Sequence, residues 1–202
     1  RVVENVLIPR QDTEILVEVA LNRIDERPSD DGQRTTVLDL CCGSGCIGIS
    51  VKKLRPETDV TLTDLSEAAL RITEKNAVSL QVDVRICQGD LFAGVQGKKY
   101  RILLSNPPYI PSRVIDTLMP EVREYEPRLA LDGADDGLIF YRRIAREAMQ
   151  FLEDEGYVLF EIGFDQAEDV RKILVDAGFE QIQVRQDYTG LDRVVIGRKA
   201  AE

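Results

Sequence analysis

The segment Asn106-Pro107-Pro108-Tyr109, which follows a strand predicted over residues 100–105, carries the side chains that most directly indicate chemistry. Each proline fixes its own φ, biases the residue before it toward extended backbone, and lacks an N–H donor. The Asn106 side-chain oxygen and the Pro107 carbonyl therefore make a rigid pair of acceptors beside the Tyr109 ring. Two acceptors suit a planar NH2 group, whose two protons both need partners. The alternative is a purely structural turn, which the position at the end of a strand disfavours.

A glycine-containing turn follows another predicted strand, Thr36–Leu40. Gly43 and Gly45 would let a ligand approach the backbone closely, and the helix after them offers free N–H groups. With Gly48 they fit the spacing GxGxxG, so a dinucleotide site is one interpretation. Many strand-to-helix turns hold glycine for steric reasons alone, so the turn by itself does not separate function from structure.

A carboxylate, Asp64, ends the next predicted strand, residues 59–63. An acid at this position can hold a ribose diol by accepting a hydrogen bond from each hydroxyl. The alternative is that Asp64 caps the helix that starts near Glu67, a role for which Ser66 competes.

A second carboxylate, Asp90, follows the third predicted strand, residues 84–87. It could accept a hydrogen bond from the exocyclic amine of a purine, with Leu91 and Phe92 offering apolar surface to the ring, or be an ordinary turn residue. Because the carboxyl ends of parallel strands meet in one crevice, we expect these acids and Asn106 to face a cofactor and a substrate together.

Strands and helices must alternate to place these residues, and the hydrophobic pattern predicts that they do. Residues 27–33 are predicted to form a linker, and the stretch after Tyr109 up to Asp136 is predicted to form a long loop. Asp12 or Thr13 is predicted to cap the first helix. Alternation favours a doubly wound, mostly parallel α/β sheet with helices on both faces and an antiparallel pair at the end. The predicted helices cover 14–26, 45–54, 67–80, 137–152 and 165–177, and the later strands 101–105, 157–162, 180–185 and 193–198.

Composition narrows the functional classes. The chain has 202 residues, 44% of them hydrophobic, enough for one α/β core. It contains neither a long apolar run nor a signal-like N-terminus, so we expect a cytoplasmic protein with no membrane span. The net charge of −10 argues against tight non-specific binding to nucleic acid. The absence of histidine removes Ser-His-Asp and Cys-His catalysis.

The four cysteines do not follow a CxxC zinc spacing. A redox or metal cluster at Cys41, Cys42 and Cys46 is one interpretation. We favour small buried thiols in a reducing compartment, with Cys87 among them, and expect no metal.

The motifs together resemble the class I S-adenosylmethionine-dependent methyltransferases of the Asn-Pro-Pro-Tyr type. Further segments are similar to the protein-(glutamine-N5) methyltransferases that modify peptide-chain release factors: residues 6–14, 126–131, 136–138 and 190–195. The resemblance implies a Rossmann-like, seven-stranded sheet with an antiparallel C-terminal strand. It also implies N5-methylation of the glutamine in a release factor's Gly-Gly-Gln motif, with S-adenosylhomocysteine as product. The alternatives are another protein glutamine, an exocyclic base amine in RNA or DNA, or a cofactor-binding module without activity.

The resemblance also implies roles for individual residues. Asn106, Pro107 and Tyr109 would act on the reacting amide, and Pro108 and Arg10 would help to hold the substrate. Asn106 and Pro107 would accept the two amide protons, while Tyr109 packs against the amide plane and excludes water. The implied cofactor-binding residues are Asp39, Cys41, Cys42, Gly43, Ser44, Gly45, Asp64, Leu65, Asp90, Leu91 and Asn106.

The sequence departs from the family pattern at Cys41, where glycine is usual, and at Gln11, where proline is usual. Full-length members carry an N-terminal helical domain that this sequence lacks, so it is either a piece of a longer protein or a shorter paralogue with another substrate. We expect residues 1–32 to flank the site and residues 33–202 to form the methyltransferase domain. The expected partner is a release factor, with no stable nucleic-acid binding and a monomeric state.

Overall fold

A twisted sheet of seven strands organises the computed structural model, which describes residues 7–26 and 34–201. The predicted linker 27–33 lies outside these residues. The strands are β1 Thr36–Leu40, β2 Asp59–Asp64, β3 Arg85–Gln88, β4 Tyr100–Ser105, β5 Leu152–Glu161, β6 Glu180–Gln186 and β7 Asp192–Arg198. Their order is β3-β2-β1-β4-β5-β7-β6, and β7 runs antiparallel to both of its neighbours. This arrangement confirms the predicted doubly wound sheet with an antiparallel C-terminal strand.

Helices cover both faces of the sheet, because alternate strand residues point to opposite sides. The helices are α1 Thr13–Asp25, α2 Cys46–Leu54, α3 Glu67–Leu80, α4 Ser112–Ile115, α5 Pro120–Arg123, α6 Arg128–Leu131, α7 Ile139–Phe151 and α8 Ala167–Asp176. On one face Val37, Ile102 and Leu104 pack with α1, α2 and α3. On the other face Leu38 and Leu103 pack with α7 and α8.

Three expectations about the elements are corrected. The predicted long loop contains three single-turn helices, α4 to α6. Strand β5 begins at Leu152, directly after α7, where its pairing with β4 includes an irregularity between Tyr100 and Ile102. Helix α1 begins without a side-chain cap from Asp12, whose carboxylate instead lies 3.3 Å from the Arg193 guanidinium.

The strand register brings the predicted site residues to one edge of the sheet. Leu40 pairs with Thr63 of β2 and with Ser105 of β4, and Ser105 pairs with Phe160 of β5. The chain therefore leaves β1, β2, β4 and β5 at the same level, and the residues that follow each strand end meet there. This edge is the expected ligand site of an open α/β sheet.

Candidate active site

A cavity opens at this edge and holds about 1020 Å³ of empty space, including its open mouth. Most of the predicted residues lie on its wall: Cys41, Cys42, Gly43, Ser44, Asp64, Leu65, Asp90, Leu91, Asn106 and Pro108.

The glycine turn after β1 forms one side of the cavity. Gly43 has φ +57°, and a Cβ atom at this position would meet no other atom within 4 Å. Gly45, with φ +77°, is different, because a Cβ there would lie 2.7 Å from Thr73 Cγ2. The Thr73 hydroxyl donates to the Gly43 carbonyl at 2.9 Å. Gly45 therefore lets the turn pack on α3, while Gly43 leaves room for a ligand.

Two thiols on this turn are poor nucleophiles. Cys41 also has a left-handed backbone, with φ +57°, at the position where glycine is usual. Burial raises the pKa of Cys41 and of Cys46 to about 12, so both thiols stay protonated near neutral pH. All four cysteines are free.

Asp64 is held by the backbone on both of its oxygens. Oδ2 accepts from the Gly43 N–H and Oδ1 from the Ser66 N–H, each at 2.8 Å. Ser66, rather than Asp64, caps α3, since its hydroxyl accepts from the Ala69 N–H at 3.3 Å. A carboxylate has about four lone-pair sites, so Asp64 can still accept from a ligand diol.

Asp90 forms an ion pair on the rim of the cavity. Its Oδ2 accepts from the Arg143 guanidinium at 2.8 Å, and its side chain is half exposed. Leu91 lies on the wall beside it. The expectation for Phe92 is corrected: its ring is buried in the core and stacks on Phe151 with centroids 4.4 Å apart.

The Asn-Pro-Pro-Tyr segment places only two of its four residues on the cavity wall, Asn106 and Pro108. Pro107 is buried, and Tyr109 packs against the hydrophobic cluster beneath α7, where burial raises the pKa of its hydroxyl to about 12. The Tyr109 carbonyl accepts from the Gln166 side chain at 3.0 Å. Tyr109 thus anchors the segment through both its ring and its carbonyl, and the packing of its ring against a substrate amide stays a prediction.

The other predicted residues that lie off the cavity wall also have supporting positions. Asp39 is completely buried and accepts from the Gly48 N–H at 2.9 Å, and burial raises its pKa to about 7. Arg10 forms a 2.8 Å ion pair with Glu126, whose side chain is 3% exposed. This pair joins the segment before α1 to the segment before α6. Gly45 supports the turn as described above.

The sequence alone assigned no role to several residues in and around the site. Glu161, the last residue of β5, is 1% exposed, and burial raises its pKa to about 7. A charged residue that ends an otherwise apolar strand was the available signal. The other wall residues had not been assigned to the cofactor or the substrate: Leu7, Pro9, Thr13, Cys46, Ile47, Thr63, Ser66, Ala69, Gly89, Pro127, Leu129, Ala130 and Phe140.

Within residues 7–26 and 34–201, no three cysteine, aspartate or glutamate side chains come together as metal ligands. In the same part of the chain, no helix has the length and apolar character needed to cross a membrane.

Comparison with known proteins identifies close relatives. The protein family described as Methyltransferase small domain matches residues 12–121. A release factor glutamine methyltransferase of Fusobacterium nucleatum is 43% identical over 201 residues, which are 98% of this chain and 55% of that protein. One of Geobacter sulfurreducens is 41% identical over 197 residues, which are 98% of this chain and 67% of that protein. The chain thus spans about half to two thirds of the length of these relatives.

A solved structure, the ribosomal protein L11 methylase of Lactobacillus delbrueckii subsp. bulgaricus, has the same fold. It superposes with a TM-score of 0.64 and 20% identity, over 96% of this chain and 82% of that one. At this level of identity the likeness concerns the fold alone.

Proposed function

Because this chain belongs to the release factor glutamine methyltransferase family, we propose that it transfers a methyl group from S-adenosylmethionine to the side-chain N5 of a glutamine in the Gly-Gly-Gln motif of a release factor. The observation that supports this most is the position of Asn106. Its side chain lies on the wall of the same cavity as the glycine turn and Asp64. A polar amide acceptor thus lies within one crevice with a nucleoside-type site.

The residues of the cavity fit S-adenosylmethionine. The open space beside Gly43 admits a ligand close to the backbone, and Asp64 keeps acceptor capacity for a ribose diol. Leu65 and Leu91 offer apolar surface for a base. The acids of this edge also suit a cationic ligand. When bound, S-adenosylmethionine supplies an electrophilic methyl group on a positively charged sulfur.

The chain's own residues would orient the amide rather than ionise it. Asn106 Oδ1 and the carbonyl of the Pro107–Pro108 peptide accept the two N–H groups, which turns the nitrogen lone pair toward the methyl group. Asn106 and Pro107 would hold the nitrogen for the transfer, the bound cofactor would supply the methyl group with its neutral sulfur as the leaving group, and one proton would pass from the nitrogen to water. Orientation and exclusion of water would supply most of the gain in rate.

Methyl transfer from labelled cofactor to a release factor tests the proposal. We expect label on the wild-type factor and none on a factor whose motif glutamine is replaced by alanine. Asn106→Ala should abolish transfer while the affinity for S-adenosylhomocysteine stays within a few-fold. Label on RNA or DNA instead, or full turnover by Asn106→Ala, would contradict the proposal.

We further propose that residues 33–202 form the methyltransferase domain and that residues 1–32 flank its site. The monomeric state and the lack of stable nucleic-acid binding stay predictions, which sedimentation with and without RNA would check.

A further inference from the structure

Glu161 is the neighbour of Asn106 across the sheet. Ser105 of β4 pairs with Phe160 of β5, so the next residue of each strand also lies side by side. Asn106 is partly exposed and lines the cavity, whereas Glu161 is 1% exposed and lies outside the lining. The carboxylate therefore sits behind the asparagine as seen from the cavity.

The carboxylate is short of donors in this buried position. Its Oε2 atom has no hydrogen-bond partner among the described residues. The side chains of Asn106 and Thr13 donate toward the carboxylate, and Arg193 lies nearby. Arg193 itself is engaged with Asp187 at 3.1 Å and with Asp12 at 3.3 Å. The Asn106 amide is thus, after the Thr13 hydroxyl, a donor to this buried group.

The chemistry of the two groups fixes the orientation of the asparagine. An ionised carboxylate only accepts, so it can face only the NH2 end of the Asn106 amide. The amide is planar with its oxygen on the other side, and Oδ1 is therefore turned away from Glu161, toward the cavity. In the opposite orientation an NH2 group would face the NH2 group of the substrate, donor against donor.

We propose that Glu161 is a positioning residue that holds the Asn106 side chain with its oxygen toward the substrate amide. The proposal rests on the function proposed above and goes further, because it assigns the buried end of β5 to the reaction. Glu161 itself touches neither substrate nor cofactor in this role.

The role predicts a dependence on pH. Burial raises the pKa of Glu161 to about 7, against the lowering effects of Thr13, Arg193 and Asn106. Below that pH the protonated carboxyl can donate to Asn106 Oδ1 and reverse the amide, so kcat should rise with pH and reach half its maximum near 7. The ionisable groups around Glu161 are Asp12, Cys46, Tyr109, Tyr141 and Arg193.

Two substitutions separate positioning from packing. Glu161→Met keeps the length of the side chain but removes the acceptor, and we expect kcat to fall by about tenfold or more at every pH. Glu161→Gln keeps an acceptor that cannot be protonated, so it should retain kcat within a few-fold at pH 8 and lose the decline below pH 7. The affinity for S-adenosylhomocysteine should stay within a few-fold in both.

Glu153→Met is the matched control, because Glu153 lies near the opposite end of the same strand and accepts from the Thr36 hydroxyl at 2.8 Å. It should leave kcat and the pH profile unchanged. Wild-type kcat in Glu161→Met, or an unchanged acid decline in Glu161→Gln, would overturn the positioning role. If Glu161→Met does not fold, the pH profile of kcat in Glu161→Gln tests the positioning role by itself.

A measurement that does not depend on catalytic turnover tests the positioning role independently of the proposed function. The Asn106 side-chain NH2 resonances, assigned by their loss in Asn106→Asp, should shift in the wild-type protein with a midpoint near pH 7. They should not shift in Glu161→Gln. Absence of release-factor labelling would overturn the proposed function, whereas absence of this titration would overturn the positioning role alone.

Discussion

Asp64 shows how one side chain can shape a loop and still serve a ligand. Both of its oxygens accept backbone N–H groups, from Gly43 and from Ser66. Asparagine at this position has a single acceptor oxygen, so one of these N–H groups would lose its partner. We expect Asp64→Asn to weaken binding of S-adenosylhomocysteine by about tenfold or more, measured by calorimetry. Asp83→Asn, at an exposed position, is the control, and equal affinities of the two variants would contradict this reading.

Gly43 and Gly45 share a left-handed backbone but have different surroundings, so alanine should have a different effect at each. At Gly45 the added methyl group would overlap Thr73 and Ile49, and we expect a loss of about 1–3 kcal/mol in the free energy of unfolding. At Gly43 the methyl group meets open space beside the cavity, so the loss of stability should be about 1–2 kcal/mol and the loss of cofactor affinity the larger effect. Urea unfolding and calorimetry on both variants would show this contrast, and an unimpaired affinity in Gly43→Ala would refute it.

At the scale of elements, the ion pair between Arg10 and Glu126 joins two segments that both contribute to the cavity wall. Pro9 lies beside the first residue, and Pro127 beside the second. The Glu126 side chain is buried, and burial raises its pKa although Arg10 lowers it. Loss of Arg10 would remove the cationic partner of a buried carboxylate, which is costly.

We therefore expect Arg10→Met to make the two wall segments that the ion pair joins less firmly held. Dissociation of S-adenosylhomocysteine should become several-fold faster by stopped-flow fluorescence, with a smaller change in the association rate. Adding Glu126→Gln to Arg10→Met should restore part of the loss, since the remaining group is then neutral. Additive effects of the two substitutions would show that the pair does not act as a unit.

The elements also show what the sequence could predict. The central strands are apolar runs bounded by turn residues, so their positions and the residues at their ends followed from the pattern. The start of β5 did not, because residues 152–156 are rich in acids and become a strand only by pairing with β4. Helices α4 to α6 each have a single turn, too short for a periodic signal.

The residues of the candidate site also fall into those that the sequence predicted and those that it did not. Residues at or just after the ends of β1, β2, β3 and β4 were predicted, because the ends of parallel strands must converge. Phe92 was expected to offer apolar surface to a ligand, but its ring is buried in the core instead. The contribution of Pro127 and Leu129 depends on how a long segment folds back over the sheet, which spacing along the chain does not encode.

At the scale of the whole molecule, buried acids should make stability depend on pH. Burial raises the pKa of both Asp39 and Glu161 to about 7, so between about pH 4 and pH 7 the folded chain binds more protons than the unfolded chain. Their contribution is fully present below the pKa of the unfolded chain and is lost as pH rises through 7. The pKa of Asp187 is lowered, chiefly by the Thr189 hydroxyl, so its contribution has the opposite sign and disappears in acid.

We expect the free energy of unfolding in urea to fall by a few kcal/mol between pH 5 and pH 8. Asp39→Asn should flatten this decline, because the amide oxygen can still accept from the Gly48 N–H but carries no charge. A wild-type stability that stays level or increases over this range would contradict the argument.

The register that puts Glu161 beside Asn106 also has a consequence for the order of synthesis. The glycine turn, Asp64, Asp90 and Asn106 all leave the ribosome before β5 does. Until β5 emerges, β4 is the exposed edge of a four-stranded sheet, and Asn106, which follows β4, lacks the Glu161 carboxylate behind it. A nascent chain that ends before residue 152 would contain the whole glycine turn and yet lack an ordered acceptor for the substrate. We therefore expect activity to arise late in translation, when β5, β7 and β6 add to the edge of the sheet beside β4.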